Sequence, residues 1–140
     1  MKKLIYLAVG IFALLASCAN DGIYYSNAEI RLPSATEVQS ILFTDIEDNR
    51  EYEYSDAEWI TAFMSHLESA IPTGEASVQD MPFEEDLVKI DIKVQNNITT
   101  LFFYEEEDRY FVEQPYQGIY EIGIDVEDII DWEKLGGVGK

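Results

Sequence analysis

The chain carries one cysteine, and the residues around it suit one reaction. Leu15-Ala16-Ser17-Cys18 matches a lipobox. Small residues at Ala16 and Ser17 fit a signal peptidase cleft, and Cys18 supplies the thiol that is acylated. Ahead of it lie Met1-Lys2-Lys3, a short positive start, and Leu4 to Leu15, apolar apart from Gly10. That run has the length of a signal h-region and falls short of the roughly 20 residues a membrane-spanning helix needs. Residues 1–17 therefore read as a lipoprotein signal peptide and 18–29 as a lipidated N-terminus and tether. The protein is expected outside the cytoplasm, lipid-anchored to the cell membrane. An ordinary cleaved signal with a chance cysteine is the competing reading. It is disfavoured because the one cysteine falls where a lipobox requires it. Once acylated, Cys18 forms no disulfide, so stability must come from a hydrophobic core.

Other groups able to do chemistry are scarce. His66 is the one histidine, near the edge of an apolar helical stripe, where a boundary residue is more common than a base. With no second histidine and no free thiol, a Cys-His pair and a histidine-cysteine zinc site are excluded, and a Ser-His-Asp triad would have to rest on His66 alone. Gly136-Gly137-Val138-Gly139 has no following helix to make a phosphate loop. Two acidic runs, Glu84-Glu85-Asp86 and Glu105-Glu106-Glu107-Asp108, offer hard oxygen ligands that could hold Ca²⁺ weakly. They lack the EF-hand spacing, and a charge run is more often a solvated loop. No cofactor and no metal site are expected.

From Cys18 onward the chain has 7 Lys+Arg against 28 Asp+Glu, a formal net charge of −21. Such a field repels nucleic acid and anionic headgroups, so neither is expected as a ligand. Nine Tyr, seven Phe and two Trp argue for a packed domain rather than an acidic disordered tail.

The periodicities place the elements. Val38 to Asp45 and Arg50 to Tyr54 read as a hairpin, turned by Glu47-Asp48-Asn49. Ser55-Asp56-Ala57-Glu58 reads as a capping box opening a helix over 56–71, with Ile60, Phe63, Met64, Leu67 and Ile71 on one stripe. Pro72 and Gly74 stop it. Val88 to Val94 alternates as a half-buried strand, Asn96-Asn97 suits a two-residue turn, and Ile98 to Tyr104 returns. Glu106-Glu107 turns into Arg109 to Gln114, Gly118 to Ile122 adds a strand, and Asp125 opens a short helix through Trp132. With those turns Ile92 faces Leu101, Ile90 faces Phe103, Phe103 faces Tyr110 and Val88 lies opposite Glu105. The expected fold class is α+β: a two-layer antiparallel sheet of about five or six strands, one main helix on one face and a short C-terminal helix. The domain runs over 30–135, and 136–140 is a loose end.

The sheet face away from the helix carries Phe102, Tyr104 and Phe111, flanked by Lys89, Lys93 and Arg109. It reads either as a platform for a protein, peptide or glycan partner, with Tyr116 in an adjacent turn, or as a second core layer under the Tyr116–Trp132 segment. Large exposed apolar patches are uncommon on monomers, which favours the covered layer. Gln114 to Tyr120 reads as a structural clasp. In it Pro115 ends strand pairing, Gly118 supplies positive φ in a turn, and Tyr120 is buried.

The stretch from Arg31-Leu32-Pro33 to Trp132 resembles an uncharacterised family of small secreted proteins and lipoproteins from Gram-positive bacteria, defined by a domain of unknown function. Val112-Glu113-Gln114-Pro115-Tyr116-Gln117-Gly118-Ile119-Tyr120 carries most of the likeness. The resemblance implies the outer face of a cytoplasmic membrane and transfers no catalytic residues. The functional expectation is a non-catalytic, membrane-anchored binding or interaction module. The alternative is a carboxylate-dependent envelope hydrolase, which needs two carboxylates facing across a cleft at about 5 Å or more.

Overall fold

The computed structural model describes residues 25, 26 and 28–123. Cys18 and the helix expected over Asp125–Trp132 lie outside the described residues. The strands are β1 (Tyr25–Ser26), β2 (Ser40–Asp45), β3 (Arg50–Tyr54), β4 (Ile71–Pro72), β5 (Gly74–Glu75), β6 (Val88–Val94), β7 (Asn97–Glu106), β8 (Arg109–Gln114) and β9 (Gly118–Ile122). Helix α1 (Ala57–Glu68) and a short 3-10 turn at Ala35–Glu37 complete the described elements. Seven strands form one antiparallel sheet in the order β3-β2-β6-β7-β8-β9-β4, and β1 pairs with β5 beside it.

This corrects the expected fold class. The fold is β-rich, a seven-stranded sheet with one helix among the described residues, rather than a two-layer α+β domain of five or six strands and two helices. Part of the difference lies at the end of α1. Pro72 cannot continue a helix, and an edge strand tolerates its missing amide. The chain therefore leaves α1 after Glu68 and pairs Ile71 with Glu121 and Pro72 with Tyr120. Ile71 ends up 68% exposed, off the buried stripe.

The turns fix the register. Gln95-Asn96 links β6 to β7, with Val94 opposite Asn97 and Gln95 at φ 45°. Glu107-Asp108 links β7 to β8, with Glu106 opposite Arg109 and both turn residues at positive φ (52° and 59°). That is the type I′ geometry whose twist suits a hairpin. Each turn lies one residue from its sequence-based position, which moves each pairing by two. Ile90 faces Leu101, Ile92 faces Thr99, Val88 faces Phe103, and Phe103 faces Val112. A shift of two preserves the alternation of faces, so the partners change and the faces do not.

One face packs on α1. Ile41, Phe43, Val88, Ile90, Ile92, Leu101, Phe103 and Val112 meet Ile60, Phe63, Met64 and Leu67, all buried. Aromatic rings thicken the contact: Tyr54 stacks on Trp59 at 3.7 Å between centroids, and Phe63 meets Phe43 edge-on at 5.4 Å. The helix is capped by Asp56, not Ser55. The Asp56 carboxylate accepts the Trp59 amide at 2.8 Å, satisfying one of the orphan donors of the first turn.

Candidate functional site

The aromatic face is closed. Phe102, Tyr104 and Phe111 are only 4–5% exposed and pack with Leu87 and Ile119. Leu87 brings the segment between β5 and β6 onto this face, and Ile119 comes from the expected Tyr116–Trp132 cover, whose residues beyond Gly123 lie outside the described residues. The β5–β6 segment is tied down at its start. Ser77 donates to the Glu113 carboxylate at 2.5 Å, and the Tyr116 amide donates to the Ser77 oxygen at 3.2 Å. Burial pushes the Glu113 carboxyl above the usual carboxylate range, against the lowering effect of the Ser77 hydrogen bond. Burial likewise pushes the Tyr104 phenol up, with the charge of Glu113 the largest addition to it.

The flanking cations are paired. Lys89 reaches Asp91 at 2.7 Å, and Lys93 reaches Glu53 at 2.9 Å. Arg109 lies 3.5 Å from Glu121 and 5.1 Å from the centre of the Phe111 ring. Phe102, Tyr104, Phe111, Lys89, Lys93 and Arg109 therefore make a covered layer with a salt-bridged margin, not an open platform. Tyr116 stays at the surface, 66% exposed, and its hydroxyl donates to Asp80 at 2.6 Å. The single histidine, His66, is half-buried in the last turn of α1.

The Gln114–Tyr120 segment grips the start of the domain. The Gln114 amide accepts from the Arg31 N–H and donates to the Arg31 carbonyl, both at 2.8 Å. Gln117 donates to the Glu29 carbonyl at 3.0 Å, and Tyr120 donates to the Ala28 carbonyl at 2.9 Å. Three side chains thus satisfy backbone groups of residues 28–31, as a paired strand would. The reversal between β8 and β9 is a turn closed by the Gln117 amide on the Gln114 carbonyl at 2.9 Å. Pro115 precedes the positive-φ position, the pattern of a type II turn. Tyr116 holds that position, at φ 59°. Gly118 does not have positive φ, contrary to the sequence reading; its constraint is space. A Cβ there would come within 3.2 Å of the Tyr120 hydroxyl and 3.5 Å of the Glu75 carbonyl.

An open apolar surface lies elsewhere, where sequence periodicity gives no signal. The loop after β2 and the segment before β6 form a hollow of about 660 Å³. Phe83 is 90% exposed beside it, with Met81 and Ile46 partly exposed. Glu47, Glu84, Glu85 and Asp86 rim it, and no lining residue is positive. The two walls are joined by a hydrogen bond from the Ile46 amide to the Leu87 carbonyl at 3.1 Å. Asp45 stiffens the first wall, its carboxylate accepting the Glu47 and Asp48 amides at 3.0 Å each. Among the described residues, no three of His, Cys, Asp and Glu gather as metal ligands would.

Residues 26–121 match a protein family described as a domain of unknown function (DUF5300), itself named DUF5301. The chain belongs to the DUF5301 family. The DUF5301 span takes in the clasp, the covered aromatic layer and the acid-rimmed hollow. A solved NMR structure of a protein from Ruminococcus gnavus is similar, with 37% sequence identity and a TM-score of 0.62. The match covers 72% of this chain and 98% of that one. No curated protein matches the chain.

Proposed function

We propose that this DUF5301 protein is a lipid-anchored extracytoplasmic module that binds a partner rather than transforming a substrate. The observation that carries the reading is the lipobox at Leu15–Cys18 together with the grip on residues 28–31. Tyr25, in β1, is seven residues beyond Cys18. A fully extended chain of that length reaches about 24 Å. An acylated Cys18 would therefore hold the domain close to the bilayer, and the clasp would carry any pull on the leash into β8 and β9. Two acyl chains, at about 0.8 kcal/mol for each buried CH₂, give a firm anchor.

The preference for binding over catalysis rests on how the candidate groups are used. Glu113, the carboxylate most withdrawn from water among those described, is committed to Ser77 under a closed surface. Among the described residues, the hollow at Phe83 is an apolar surface left open. The test is fractionation of cells making the parent and Cys18→Ala, with metabolic lipid labelling. The parent is expected in membranes and labelled, and the variant unlabelled and released or unprocessed. Equal labelling of both would overturn the anchor.

A further inference from the structure

We propose that the hollow between Ile46 and Leu87 is a docking site for a cationic amphipathic peptide segment, its apolar side chains seated on Phe83, Met81 and Ile46 and its lysines or arginines held by the rim. This deepens the reading of the chain as a binding module and rests on it.

Three features of the surface select that occupant. The first is apolar content. Phe83 is 90% exposed, Met81 45% and Ile46 38%, and all three line the hollow. One exposed apolar side chain is ordinary, whereas several gathered inside a polar rim mark an interaction surface. The second is charge. Four carboxylates line the hollow and no cation does, and the chain from Cys18 carries −21 in all. A neutral apolar partner would bury those carboxylates without compensation, and an anionic one would be repelled. A cationic one desolvates them against opposite charge and is drawn in by the field of the whole domain. A second copy of this chain brings the same negative charge and is disfavoured on the same ground.

The third feature is preformation. Pro82 is buried, fixing the backbone between Met81 and Phe83. The Ile46–Leu87 hydrogen bond clips the walls together, and Leu87 is itself anchored in the covered aromatic layer. Phe83 is thus presented from a tethered base, so a ligand meets a site already shaped for it.

The experiment is an NMR titration of the chain from residue 18, carrying Cys18→Ala. The probe is a synthetic helical peptide of leucine and lysine, and its all-lysine and leucine–glutamate counterparts are controls. The expected result is saturable shifts of the amides of residues 46–47 and 81–87 with the leucine–lysine peptide. Affinity should fall about ten-fold or more in Phe83→Ser, as for loss of a central anchor. Glu84→Gln with Glu85→Gln should weaken binding and flatten its salt dependence, since the reach of unscreened charge falls from about 30 Å at 0.01 M salt to about 8 Å at 0.15 M. Glu37→Gln with Glu68→Gln, exposed acids that line other parts of the surface, should leave affinity within about two-fold. Equal binding by the all-lysine peptide, or an unchanged affinity in Phe83→Ser, would overturn the proposal by reducing the contact to diffuse charge. Loss of a dimer in Phe83→Ser, measured by sedimentation without peptide, would overturn it in favour of self-association. Because the titration uses no membrane, its failure leaves the anchor standing, and failure of the lipid labelling leaves the hollow standing.

Discussion

Replacing Gln114 tests whether the clasp holds the start of the domain. Its side chain makes two 2.8 Å hydrogen bonds to the backbone of Arg31, and Gln114 is 8% exposed. A net hydrogen bond contributes about 0.5–1.5 kcal/mol, so Gln114→Ala should remove about 2 kcal/mol. For a domain of this size, 1 kcal/mol moves the melting temperature by roughly 4–8 °C, which puts the expected loss at about 10 °C. If residues 28–31 instead peel away alone, the melting temperature moves less and the local opening cost falls. Amide hydrogen exchange at Arg31 reports on the clasp in either case, because its N–H loses its acceptor in both and must exchange faster. Gln114→Glu sharpens the test. It keeps an acceptor for the Arg31 N–H but turns a carboxylate oxygen toward the Arg31 carbonyl. Its defect should be largest at neutral pH and shrink as acid protonates the new carboxyl, which can then donate. An Arg31 amide that exchanges as slowly in Gln114→Ala as in the parent would refute the clasp.

Other substitutions probe separate parts of the fold. Phe63→Ala, at a fully buried site, should cost about 3–5 kcal/mol in denaturant melts, against about 1 kcal/mol for loss of the cap in Asp56→Ala; near-equal small losses would mean that α1 is not the core helix. The Glu113 carboxyl titrates above its unfolded range because burial disfavours its charge, so it binds more protons folded than unfolded. Its contribution is then full below the unfolded value of about 4.5 and declines as pH rises through the raised folded value. Glu113→Gln keeps an acceptor for Ser77 and should raise the melting temperature at neutral pH by more than at pH 4; a pH-independent difference would contradict the buried charge. Gly118→Val should cost about 1–3 kcal/mol by pressing on the Tyr120 hydroxyl and the Glu75 carbonyl, seen as a lower denaturant midpoint, and an unchanged midpoint would show that the space is there.

What could be read from the sequence was local and periodic. The 3.6-residue stripe of Ile60, Phe63, Met64 and Leu67 and the period-2 alternation of Val88 to Val94 each fix a face, and faces survive small errors of position. The turns did not read as well. Asn96-Asn97 and Glu106-Glu107 differ from the observed Gln95-Asn96 and Glu107-Asp108 by one residue, because several neighbouring polar residues tolerate positive φ. Ser55 and Asp56 are both good caps, and only the backbone decides between them. The cover on the aromatic face depends on a contact between Ser77 and Glu113, 36 residues apart, and no local pattern encodes it. Pro72 marked the end of the helix, but its pairing with Tyr120 needed the tertiary fold. Phe83 stands among Asp80, Glu84, Glu85 and Asp86 without periodicity, so the sequence reads as a solvated acidic loop where the structure presents an apolar surface.

The anchor is the claim on which the functional account turns, and intact mass spectrometry of the protein extracted from membranes tests it most directly. The expected product is a chain beginning at Cys18, heavier than its peptide mass by a thioether-linked diacylglyceryl group whose acyl chains, but not its glycerol, are lost on ester hydrolysis. A soluble, unmodified chain with a different N-terminus would contradict it.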